Sequence, residues 1–263
     1  MSTPRYSRAL IAVCAISLLA ALSATLTAVR SSRADAEALL AGQVLLSTDG
    51  RTLTAPVMWA PCQEAKPRVF ARETSQTVAA DEKRGNTADL THECATVGFQ
   101  SSFTLRAPLG DRRLTEFNTG LPFLPFPAAR LADIGYLPRG FTTTQDVPLD
   151  FGPAGGSWKP WPFTRNDTIA SWTRYYAAAD KPALSVTQVL TPVGSPGPAP
   201  ATHAGPPLSV NGHDASLLCD TDTERAITWS DGISAFTVMS YDRAHAALST
   251  EELLRVAGGV HEP

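Results

Sequence analysis

The 263-residue chain carries a formal net charge of −3, from 22 Lys and Arg against 25 Asp and Glu, and only 18% of its residues are charged. No basic run occurs outside the flanks of the N-terminal apolar segment, so the footprint of a phosphate-backbone binder is missing and nucleic acid is not expected as a partner. The length allows one large domain or two small ones. The 21 Pro and 18 Gly favour short strands and turns over long surface helices. The expected fold class is mainly β (α+β): an N-terminal transmembrane helix, then two antiparallel β-rich units, the second closed by a short C-terminal helix.

From Ala9 to Val29 the chain is uncharged, ALIAVCAISLLAALSATLTAV. A bilayer core of about 30 Å needs about 20 helical residues, and this run supplies them. Arg5 and Arg8 precede it, the pattern of a signal sequence held with its N-terminus inside. Arg30 and Arg33 follow and blunt the charge rule, so orientation rests on the signal-like shape. Residues 1–33 are read as a membrane anchor with a short cytoplasmic start, and 34–41 as a polar, helical stalk. The protein is then single-pass in the cell membrane, with its C-terminal region extracytoplasmic. Ala34-Asp35-Ala36 has the small-x-small form of a cleavage site, but it lies behind two arginines, which favours an uncleaved anchor. Cys14 lies within the apolar run behind Val13, which argues against lipidation, and it reads as a small hydrophobe in lipid.

Three further cysteines remain. In an extracytoplasmic setting Cys62 and Cys94 are the disulfide candidate, and the loop they close would stabilise by about 3–4 kcal/mol on the chain-entropy model. Cys219 is then an odd thiol, buried in a strand or paired between chains. A metal site nucleated on His92-Glu93-Cys94 lacks a second clustered ligand pair, so no metal and no cofactor are expected.

Along the chain, VLLST and RTLTAPV flank Asp49-Gly50, a hairpin signal because Asp-Gly tolerates the positive φ of a primed turn. PRVFARET, QTVAA and VGFQSSFTLRA read as strands, and the polar stretch from Asp81 to Glu93 as a loop. Pro108-Leu109-Gly110-Asp111 turns the chain into RRLTEF, completing a β-rich domain over 42–120. LPFLPFP (Leu121 to Pro127) cannot be a helix or a central strand, and 121–132 is taken as a proline-rich connector. In 133–263, IASWTRYY and LSVTQVL are strands, and 191–207 is a Pro/Gly/Ala-rich loop. LSVNGHDASLLC, RAITW and AFTVMSYD, with a turn at Ser230-Asp231-Gly232, form a meander. Ser249-Thr250-Glu251-Glu252 is a capping box: the serine accepts a backbone N–H and Glu252 reaches back. Leu253, Leu254, Val256 and Ala257 form its apolar stripe, and Gly258-Gly259 stops the helix.

The order Gly135-Tyr136-Leu137-Pro138-Arg139-Gly140-Phe141, Val210-Asn211-Gly212-His213-Asp214-Ala215, Ile227-Thr228-Trp229-Ser230-Asp231-Gly232 and Leu248 to Leu254 is similar to envelope domains of actinobacteria. Those resemble, distantly, the periplasmic lipoprotein-carrier and sigma-factor-regulator type of domain. The resemblance covers about half the chain. It implies a curved antiparallel sheet under a helix, and binding or sensing in place of catalysis.

For chemistry, no G-x-S-x-G nucleophile elbow, paired carboxylates or phosphate loop stands out. His213 and Asp214 are adjacent in a strand and so point to opposite faces. Trp158, Trp161 and Phe163 lie in the irregular GPAGGSWKPWPF segment, either capping the sheet or offering an aromatic contact surface. Trp172, Tyr175, Tyr176 and Trp229 read as core. The expectation is a membrane-tethered, non-catalytic binding or sensing module, its partner a lipid, a peptide or an envelope protein. An envelope hydrolase or transferase around His92 and Glu93, or His213 and Asp214, is the alternative.

Overall fold

In a computed structural model of the chain, the described residues are 43–59, 66–83, 97–116, 120, 122–147, 169–191, 207–242 and 245–263. The fold is mainly β, and most strand pairs are antiparallel. The anchor run 9–29, the cysteines Cys62 and Cys94, and the aromatic trio Trp158, Trp161 and Phe163 lie outside the described residues. Among the described residues no helix is long and apolar enough to cross a membrane.

The Asp49-Gly50 signal does make a hairpin, joining β1 (Leu45–Leu46) to β2 (Thr52–Trp59) with Leu46 opposite Leu53. The turn differs from the primed one expected. Gly50 adopts φ +69 while Asp49 stays at negative φ, and Gly50 N–H donates to Ser47 O at 2.9 Å. A four-residue turn with one left-handed glycine therefore closes the hairpin, and Asp49 Oδ1 accepts from Arg51 N at 2.9 Å.

PRVFARET and QTVAA become the antiparallel pair β3 (Arg68–Glu73) and β4 (Thr77–Lys83), and VGFQSSFTLRA becomes β5 (Val97–Thr104). Next come β6 (Arg113–Glu116) and β7 (Phe126–Pro127). Two pairings are parallel, β4 with β6 and β1 with β7. The proline-rich connector contributes β7, at the sheet edge where a proline's missing N–H costs no ladder bond. After a 3-10 turn at Ala128–Arg130 come β8 (Asp133–Ile134), β9 (Thr142–Thr144) and β10 (Asp146–Val147). Strand β10 joins the first sheet, whose order is β10-β5-β2-β1-β7. Leu53, Ala55, Val57, Val78, Phe99, Phe103 and Leu114 build the core beneath it.

The remaining strands are β11 (Ser171–Ala177), β12 (Ala183–Leu190), β13 (Leu208–Val210), β14 (His213–Asp220), β15 (Glu224–Ser230), β16 (Ser234–Tyr241) and β17 (Val260–His261). They form a seven-stranded antiparallel sheet, β13-β14-β15-β16-β12-β11-β9, while β17 pairs with β8. Within the expected meander, LSVNGHDASLLC is itself a hairpin: Asn211 (φ +50) and Gly212 (φ +85) make a two-residue turn between Val210 and His213. Two successive positive φ values define the primed turn that Asn-Gly supplies best.

One sheet face buries Tyr176, Leu184, Val186, Ile227, Trp229, Phe236 and Val238. Trp229 and Phe236, directly opposite each other, stack with centroids 5.1 Å apart. Helix α1 (Thr250–Gly258) covers this face with Leu253, Val256 and Ala257, all fully buried. The capping box is half made. Ser249 Oγ accepts from Glu252 N at 3.2 Å, but the Glu252 carboxylate turns outward, accepting from Tyr136 OH at 2.8 Å and Arg255 Nη1 at 3.3 Å. The helix also stops differently. Gly259 has an ordinary φ of −85, and a Cβ there would sit 2.7 Å from Tyr136 N and 2.9 Å from Tyr136 Cβ. Close packing, not left-handed backbone, demands this glycine.

Residues 39–263 form one compact unit, and hydrogen bonds cross the 121–132 connector. Gln43 Nε2 donates to Thr173 Oγ1 at 3.1 Å, and Gln100 Nε2 to Thr173 O at 3.3 Å. The buried Gln188 amide fixes the connector itself, accepting from Ala132 N at 2.9 Å and donating to Arg130 O at 3.0 Å.

Candidate functional site

Opposite α1, the face of the large sheet mixes small and polar side chains with Tyr175, Val189 and Tyr241. Register places Ser171, Thr173, Ser185, Thr187, Ala226 and Met239 on it, all buried. Over β11 and β12 the Gln43 and Gln100 amides meet this face. Over β14 to β16 it carries a small satellite cluster of Ala226, Met239 and Tyr241, with Leu218 and Cys219 packed against it.

The groups with chemical capability are at the end of the β14–β15 hairpin. The turn is built by Thr221: its N–H and hydroxyl donate to Glu224 O at 2.8 and 3.1 Å, and Glu224 N donates back to Thr221 Oγ1 at 3.0 Å. This threonine clasp fixes Glu224 as the first residue of β15. A register shift between Leu217 and Cys219 then sets Cys219 opposite Ala226, on the same face as Glu224 two residues earlier. Such a bulge re-aims a strand's side chains. Cys219 is a free, half-buried thiol whose Sγ donates to Glu224 O at 3.6 Å.

Glu224 as a residue is 4% exposed, and its Oε1 has no hydrogen-bond partner. Burial pushes this carboxyl above its ordinary range, and the Cys219 thiol in hydrogen-bonding contact only partly offsets that. Burial also raises the thiol, and the neighbouring Glu224 charge raises it further.

The surrounding charges are Asp220, bound by Arg225 Nε at 2.6 Å, and Asp242, bound by His245 Nδ1 at 2.6 Å, with Asp222 in the turn itself. Asp242 N donates to Thr223 O at 3.0 Å and Ala247 N to Asp222 O at 2.7 Å, tying the chain after β16 along the turn. Among the described residues, no three His, Cys, Asp or Glu side chains come together closely enough to hold a metal ion.

His213 and Asp214 sit on β14 as the strand period requires. His213 pairs with Val210 on the α1 side, Asp214 with Ser209 on the other, and the two form no dyad. His92 and Glu93 lie outside the described residues. Trp172, Tyr175, Tyr176 and Trp229 are core residues, as expected, at 3–5% exposure. Sequence reading placed Cys219 but missed Glu224. The Thr-x-x-Glu spacing of Thr221 and Glu224 marks a turn, and only the register shows the carboxyl beside the thiol. The Asp242–His245 pair, three residues apart in sequence, also carried no periodic signal.

No protein-family model matches the chain, and neither a curated protein nor a solved structure matches it.

Proposed function

We propose that this protein is a membrane-tethered, extracytoplasmic binding or sensing module and not a catalyst. The observation that carries the reading is the pairing of one 21-residue uncharged apolar run, Ala9 to Val29, with a β-rich region that follows it. A tether of that length suits a bilayer core, and a β-rich region held beyond it suits the receipt of a partner. That partner is a lipid, a peptide or an envelope protein. Of the two histidine–acid pairs considered for hydrolysis, His213 and Asp214 diverge, and His92 and Glu93 lie outside the described residues.

Cell fractionation with protease shaving tests the tether. The chain should resist alkaline extraction from membranes, and protease added outside the cytoplasmic membrane should digest residues 34–263. Recovery in the soluble fraction, or full protection of the C-terminal region, would refute the reading.

A further inference from the structure

We propose that Asn211 is a modification site: its side-chain amide converts to aspartate and isoaspartate through a cyclic imide with Gly212, and the β13–β14 turn holds that reaction back until this edge of the sheet opens. Ring closure meets least hindrance at Asn-Gly, because the attacking nitrogen belongs to a residue with no Cβ. Of the chain's asparagines only Asn211 precedes a glycine; Asn86, Asn118 and Asn166 precede Thr or Asp. Both turn residues are exposed, and nothing lies within 4 Å of the place a Cβ on Gly212 would take. Among the described residues, Gly212 N–H donates no hydrogen bond. The nucleophile is free and the ring has room.

The brake is the geometry of the turn. With φ +50 at Asn211 and +85 at Gly212 the turn is the primed one, in which ψ of the first central residue is about +30°. That ψ puts Gly212 N on the far side of the Cα–C bond from the Asn211 side chain, out of reach of its Cγ. A second tie holds the side chain itself: Asn211 Nδ2 donates to Val260 O of β17 at 3.3 Å. When the edge opens, Asn211 rotates freely and the step balances with water alone. Gly212 N attacks Cγ, a Cγ–N bond forms, and Nδ2 leaves as ammonia, taking the proton from Gly212 N. Water then adds to either imide carbonyl. Opening at Cγ leaves aspartate; opening at the backbone carbonyl leaves isoaspartate, with the chain routed through Cβ. Both products lack the Nδ2 donor, so Val260 O loses this bond, and isoaspartate also lengthens a two-residue turn that has no slack. The conversion does not reverse, so it marks each chain whose β13–β14 edge has opened.

The test incubates the full-length protein at mildly alkaline pH, once folded and once in guanidinium chloride. Peptide mapping reads aspartate and isoaspartate at each asparagine. In guanidinium Asn211 should convert fastest of the four and give both products. In the folded chain it should convert at least about tenfold more slowly than in guanidinium. Leu253→Ala leaves the sequence around Asn211 untouched but thins the packing of α1 over β13, and should bring the folded rate toward the unfolded one. Asn211→Asp should speed hydrogen exchange in β13 and β17. An Asn211 no faster than Asn86, Asn118 and Asn166 in guanidinium would overturn the site. Equal rates folded and unfolded, or a Leu253→Ala rate no higher than the native one, would overturn the brake, and unchanged exchange in Asn211→Asp would overturn the tie to β17.

Discussion

Replacing Gly259 by alanine tests whether packing, and not backbone conformation, fixes the end of α1. A Cβ at this position would lie 2.7 Å from Tyr136 N and 2.9 Å from Tyr136 Cβ, closer than carbon tolerates. Neither side can yield easily. Gly259 O accepts from Gly135 N at 2.7 Å, and Gly259 N donates to Arg255 O and Val256 O at 3.1 and 3.0 Å, so the glycine is held from both directions. Relief requires the β8–β17 pair or the last turn of α1 to shift by several tenths of an ångström. Overpacking of this kind costs about 1–3 kcal/mol, which for a domain of this size lowers the melting temperature by about 2–12 °C. The contrast is Gly212→Ala, where no atom lies within 4 Å but φ is +85, so its cost comes from left-handed backbone alone, about 1–2 kcal/mol. Thermal and urea unfolding of the purified chain measure both. A Gly259→Ala protein within about 0.5 kcal/mol of the native chain would refute the packing argument.

Ser249→Ala removes the bond from Glu252 N and should destabilise by about 1 kcal/mol in urea unfolding, with Ser249→Gly milder. Leu253→Ala empties a fully buried site beneath α1 and should cost about 2–5 kcal/mol, read by the same assay. Gln188→Leu orphans Ala132 N and Arg130 O at the connector and should destabilise by about 1–3 kcal/mol. For Glu224, the folded carboxyl titrates above its ordinary 4.5. Below that pH both states are protonated; as pH rises the unfolded chain ionises first, so stability falls until the folded carboxyl ionises too. Glu224→Gln should therefore gain on the native chain as pH rises through the ordinary 4.5, and urea midpoints that keep a constant offset there would contradict the assignment.

The strands with their own hydrophobic pattern were legible from sequence. β2, β5, β11, β12, β15 and β16 each carry apolar residues at strand spacing, and Ser249 marks the start of α1 within a residue. What escaped was set by tertiary pairing. β8, β10 and β17 are two residues long and exist because a neighbour is present. The outward turn of Glu252 follows from Tyr136, 116 residues away in sequence, which competes for the carboxylate that a local capping rule assigns to Ser249. Gly259 looked like a conformational stop, but its reason lies across the chain in Tyr136. The Cys219–Glu224 pair was hidden likewise, because a register shift of one residue decides which face a strand side chain occupies.

The central claim, that this is a binding or sensing module, is tested most directly by native mass spectrometry of the full-length protein released gently from its own membrane. The account predicts a bound lipid or peptide of defined mass, or a co-purifying envelope protein in fixed stoichiometry, that survives substitution of both His213 and Asp214. A bare monomer under conditions that preserve known membrane complexes, together with turnover of an envelope substrate that those substitutions abolish, would contradict it.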